Sequence, residues 1–130
     1  MVRIVRGAFV AVVCGLAVGC GESKPAVSKE PGRDALKEVG QMLKSLADEG
    51  RKPPAKSAEL EAVEPMLPTA GPMLREGTLV YLWGATYAAD IEKVAAHEKK
   101  VPAEGGWVLL QSGTVKEMST SEFAAAPKAK

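Results

Sequence analysis

One stripe of apolar residues, Leu36, Val39, Leu43 and Leu46, recurs at the three- and four-residue spacing of an amphipathic helix. Lys37, Glu38, Lys44, Asp48 and Glu49 fall on its other faces; Pro31 and Gly32 precede it, and Gly50 supplies a stop. A single helix of this kind must bury its stripe, which reads as a core face rather than a partner groove. The partner the sequence offers is a set of short runs rich in β-branched and aromatic residues.

The strongest of these is Thr78-Leu79-Val80-Tyr81-Leu82-Trp83. Residues 93–99 read as a second strand with Val94 and Ala96 on one face. Residues 107–110 and 114–118 read as two more, joined by the tight turn Gln111-Ser112-Gly113. Between helix and strands, Lys52-Pro53-Pro54 breaks the chain, and Ser57 is placed to cap a short helix that Pro65 ends. Residues 66–76 read as a long irregular connection in which Met66 and Met73 fill gaps. Residues 88–92 read as a helical turn. Residues 119–126 read as a closing helical turn whose Phe123 packs on the sheet. The expected fold is α+β, one amino-terminal amphipathic helix on a three- or four-stranded antiparallel sheet. The core is modest, since only two Trp, two Tyr and two Phe supply large apolar surface.

The first twenty residues read MVRIVRGAFVAVVCGLAVGC. Arg3 and Arg6 form a charged n-region, followed by about a dozen apolar positions, a signal-peptide length well short of the roughly 20 that span a bilayer. Ala17, Val18 and Gly19 are small residues directly before Cys20. The arrangement resembles the lipobox of bacterial lipoproteins, Leu-(Ala/Ser)-(Gly/Ala)-Cys. That resemblance implies lipidation at Cys20 and signal-peptidase recognition at Ala17 and Gly19, with Ala17 standing where Leu is commoner. Cys14 does not fit, because Val13 precedes it. The same segment also admits cleavage as an ordinary signal peptide or retention as an uncleaved anchor. The expected organisation is a signal peptide over 1–19, a flexible tether over 20–32, a small domain over 33–126 and a solvated tail over 127–130. The expected location is the cell envelope, with the membrane engaged through the N-terminal lipid on the exported side.

Glu98-Lys99-Lys100-Val101-Pro102-Ala103-Glu104-Gly105-Gly106-Trp107-Val108-Leu109-Leu110-Gln111-Ser112-Gly113-Thr114-Val115, with Glu122-Phe123 after it, resembles the carboxyl end of pseudopilin-like secreted bacterial proteins. In that group a run like E-K-x-x-P-x-x-G-G-x-V-L-x-x-D-G-x-V precedes a terminal E-F. The helix and the 50–60 segment are similar to the region directly after a pilin stem, so the likeness covers about 90 residues. It implies a globular head that contacts another envelope or secretion protein. Ser112-Gly113 replaces the group's Asp-Gly turn, and a lipobox replaces its apolar stem, which implies a tethered monomer rather than a fibre subunit. Some pseudopilins hold calcium in this sheet; here only Asp90 and Glu92 lie near the turn, so no metal or other cofactor is expected.

Other chemistry finds little footing. Both cysteines lie in the export segment, so no disulfide staples the domain. The formal charge is +1, and removing Arg3 and Arg6 takes it to −1, which argues against nucleic acid as a partner. His97, the only histidine, reads as solvent-facing or on an edge strand, without a polar partner for acid–base work. Ser112, Ser119 and Ser121 lack a Gly-x-Ser-x-Gly setting. Gly105-Gly106 opens a strand rather than a helix, so it is no phosphate cradle. Glu59, Glu61 and Glu64 read as a solvated face. Trp83 and Trp107 are the candidate interaction surface, with core packing on neighbouring strands as the competing and favoured reading. No enzyme is expected. Two function classes remain: a non-catalytic, pseudopilin-like interaction domain on a membrane-anchored envelope lipoprotein, or a periplasmic small-ligand-binding or inhibitory module.

Overall fold

The computed structural model describes residues 30–130, and the apolar stripe lies on helix α1 (Pro31–Asp48). Pro31 occupies the first helical position, where a missing N–H costs no hydrogen bond, so the helix begins two residues before Arg33. Leu36, Val39, Leu43 and Leu46 are all buried, together with Ala35 and Met42. Each buried Leu or Val removes enough apolar surface from water to contribute about 1.5–3 kcal/mol.

The domain is α+β, with four antiparallel strands: β1 (Leu79–Tyr81), β2 (Val94–Glu98), β3 (Gly106–Leu110) and β4 (Val115–Met118). Their spatial order follows the chain, as in a meander. Side chains alternate across the sheet and feed two cores. On one face Leu79, Tyr81, Ala96 and Leu109 meet α1 and α3 (Ala70–Glu76). On the other, Val94, Val108, Leu110 and Met118 meet Val101 of α4 (Val101–Glu104) and Phe123 of α5 (Thr120–Ala125). Ser119 caps α5, its hydroxyl accepting the Glu122 N–H at 3.2 Å.

Several expectations are corrected. Residues 70–76, read as irregular, form α3: Pro72 sits in its first turn, where no backbone N–H is needed, and Gly77 closes it at φ +79°. The short helix α2 (Leu60–Val63) lies between two 3-10 turns, and Ser57 is inside the first of these, not its cap. Residues 88–92 make a turn rather than a helix, closed by the Ile91 N–H donating to the Ala88 carbonyl at 3.1 Å. Val94 and Ala96 face different cores, because the register shifts between them and Ala95 carries the extra residue of a bulge.

The final residues are not a solvated tail. Val94 donates to the Pro127 carbonyl at 2.9 Å and accepts from the Ala129 N–H at 2.8 Å, so the segment pairs parallel with β2. The Lys128 ammonium donates to the Phe123 and Ala126 carbonyls at the end of α5, where a cation suits the helix dipole.

Two glutamates tie helix ends to distant parts of the chain. Glu38 of α1 accepts the N–H groups of Thr69 and Ala70 at 2.8 Å each, capping α3. Glu98 of β2 accepts the Trp107 N–H at 2.8 Å, and its other carboxylate oxygen lies against Gly32 in the first turn of α1. A Cβ at Gly32 would overlap that carboxylate, and one at Gly106 would stand 2.8 Å from its Oε1. Gly106 also has φ +153°, a conformation that L side chains rarely adopt. No side chain caps α1 locally; the Glu98 charge lies at its positive end instead.

Glu98→Ala is therefore expected to lower unfolding free energy in urea by about 1–3 kcal/mol, the cost of an orphaned donor. Glu98→Gln, which keeps a neutral acceptor, is expected to lose less. Equal stability of the wild type and both variants would contradict the clamp.

Candidate interaction surface

Cys20, Ala17 and Gly19 lie outside the described residues, as does the tether up to residue 29. The two tryptophans are described, and they do not form one patch. Tyr81, Ala96 and Leu109 stand level across β1, β2 and β3. Trp83 lies two residues beyond that line and Trp107 two residues before it. They are thus separated by roughly 13 Å along the strands and about 10 Å across them. Strand β2 runs between, so the tryptophans are not on neighbouring strands.

Each ring has its own setting, and both residues are half-buried. Trp83 meets the Tyr81 ring edge-to-face at 5.1 Å. Trp107 lies under the Arg33 guanidinium at 5.6 Å, and that cation also pairs with Glu30 at 3.2 Å. Burial pushes the Tyr81 phenol above its ordinary range, and its hydroxyl donates to the Ala85 carbonyl at 2.6 Å. It acts as a structural donor.

His97 is neither solvent-facing nor on an edge strand. It is 7% exposed on the inner strand β2; its Nδ1 lies 2.7 Å from the Glu98 carbonyl and its ring meets Phe123 at 4.7 Å. The alternation rule places His97 and Glu98 on opposite faces, and α5, packed on the His97 face, covers its ring with Phe123. Glu59 and Glu64 are more than a solvated face: Glu59 accepts the Ala55 N–H at 2.7 Å, and Glu64 pairs with Arg75 at 2.5 Å. Among the described residues no three His, Cys, Asp or Glu side chains gather as a metal site.

The surface offers shallow clefts. One, of about 470 Å³, lies among Lys100, Glu104, Glu117, Ser119 and Glu122, where cation and carboxylates face one another. Another, of about 350 Å³, runs between α1 and the β3–β4 turn, with Lys37, Gln41, Lys44, Tyr87 and Ser112 along it. Gly113 lies between its two sides: a Cβ on Gly40 of α1 would be 3.7 Å from the Gly113 carbonyl oxygen, and one on Gly113 would be 3.6 Å from the Tyr87 ring. The sequence alone marks none of these residues as a site. The face Lys37-Gln41-Lys44 is legible as helical spacing, but the return of Tyr87 and the turn to it depends on the sheet.

Comparisons with protein-family models, with curated proteins and with solved structures find no match.

Because the tryptophans touch different partners, Trp83→Ala and Trp107→Ala are expected to be additive in stability to within about 0.5 kcal/mol. A coupling above about 1 kcal/mol in a double-mutant unfolding cycle would show that they act as one unit.

Proposed function

We propose that this chain is a cell-envelope lipoprotein, anchored through lipid on Cys20, whose domain is a non-catalytic, pseudopilin-like interaction module. The proposal for the anchor rests on the small residues Ala17, Val18 and Gly19 before Cys20, after a charged and then apolar run. Among the described residues no helix is long and apolar enough to cross a membrane, so in this reading attachment rests on residues 1–20.

The observation that carries the interaction reading is where the polar groups of the 97–107 stretch are spent. Glu98 holds the Trp107 N–H, and His97 is enclosed between the Glu98 carbonyl and Phe123. The side chains of that stretch best suited to acid–base chemistry are engaged in holding the sheet to its helices. The module then acts through its surface, as a tethered monomer meeting another envelope or secretion protein. A second reading, an exported ligand-binding module, is favoured by the cleft beside α1, where Lys37, Gln41 and Tyr87 have no side-chain partner among the described residues.

Metabolic labelling with a fatty-acid analogue tests the anchor. Wild type is expected to take up label and fractionate with membranes; Cys20→Ala is expected to lose both. Equal labelling of the two, or a Cys20→Ala chain still wholly in the membrane fraction, would overturn the proposal.

A further inference from the structure

The cleft between α1 and the β3–β4 turn differs in charge from the others. Clefts elsewhere on the domain include Glu104, Glu117 and Glu122, or Glu98, or Glu59, or Glu61. This one has two lysines, an amide, a phenol and a hydroxyl along it and no carboxylate. Among the described residues the Lys37 ammonium, the Gln41 amide and the Tyr87 hydroxyl have no hydrogen-bond or ion-pair partner. Lys44 has one, Asp48 at 3.5 Å, an exposed pair of the kind that is readily given up.

We propose that this cleft binds an extended acidic glycan, with two of its acidic groups on Lys37 and Lys44 and a sugar ring on Tyr87. The lysines are seven positions apart on one helix face, about 10.5 Å along the axis. That is too far to close on one compact anion and suits charges repeated along a chain. The Tyr87 ring offers a flat apolar face, Gln41 carries a donor and an acceptor for sugar hydroxyls, and the Ser112 hydroxyl, which donates to Thr114 at 3.2 Å, keeps an acceptor lone pair. A peptide ligand would call for an apolar anchor pocket or an open strand edge, and the side chains along this cleft are Lys, Gln, Tyr and Ser. Asp34 and Asp48 stand on the same helical stripe, one turn beyond each lysine, so they bound the stretch of glycan whose acidic groups the helix engages. The inference rests on the exported-domain reading only for where such a polymer is met.

Titration calorimetry on the full chain in detergent tests it, with a hexameric oligouronate as the probe. A neutral hexasaccharide and a hexaglutamate peptide serve as comparators. The oligouronate is expected to bind, more weakly at high salt. Lys37→Gln with Lys44→Gln, and separately Tyr87→Ala, are each expected to weaken it about tenfold or more. Tyr87→Phe keeps the ring and most of the affinity, and Lys52→Gln, in a different cleft, leaves it unchanged. If Tyr87→Ala does not fold, the double lysine variant and Tyr87→Phe decide. No binding, equal binding of the neutral hexamer, equal or tighter binding of hexaglutamate, or unaltered affinity in the lysine variant would each overturn the proposal. Lipid labelling at Cys20 is unaffected by any of these outcomes, so the two readings fail separately.

Discussion

One half-buried carboxylate joins the three parts of the chain that come together at the start of α1. Glu98 leaves β2, accepts the first free N–H of β3 through Trp107, and lies against the opening turn of the helix. Two glycines make room for it, Gly32 on the helix and Gly106 on the strand. Arg33, next to Gly32, then covers the ring of Trp107 from the helix side. The apolar stripe fixes the face the helix turns to the sheet, and Glu38 ties its middle to α3; the Glu98 contact adds a constraint at its first turn. The hydrogen bond from the Trp107 N–H, directional and about twice as strong as a neutral one, holds the carboxylate in place, and the carboxylate then leaves room for glycine alone in the first turn of the helix.

The sheet is thin on residues and covered on both faces. Each core is small, and the second one depends on α4, α5 and the last residues of the chain. Lys128 closes this layer by binding the end of α5 while its backbone neighbours pair with Val94. The enclosure of His97 is a consequence of that layer. The stretch from Glu98 to Val115 is in this sense a packing motif: Glu98, Gly106 and the Ser112-Gly113 turn specify how three strands and a helix meet.

Local signals carry most of the elements. The stripe of α1, the β-branched run of β1, the two strands around Gln111-Ser112-Gly113 and the closing turn of α5 are all readable from near neighbours. The features that escape such a reading depend on partners far along the chain. Helix α3 reads as broken because Pro72 and Gly71 are turn formers, and its cap is Glu38, 31 positions away from Thr69. The bulge at Ala95 has no signature of its own, so simple alternation assigns Val94 and Ala96 to one face. Pairing the tryptophans assumes adjacent strands, and strand order alone separates them. The cleft beside α1 is hidden for the same reason: its helix face is legible, while Tyr87 reaches it only through the meander.

A fold held this way leaves its surface free to specialise. The most direct measurement on the central contact is a double-mutant unfolding cycle between Gly32→Ala and Glu98→Ala. In the wild-type background Gly32→Ala is expected to cost about 1–3 kcal/mol, because the new methyl group meets the carboxylate. With Glu98 already alanine, the cost should vanish or reverse, since alanine is the better helix former by about 1 kcal/mol. The same loss in both backgrounds would contradict the account.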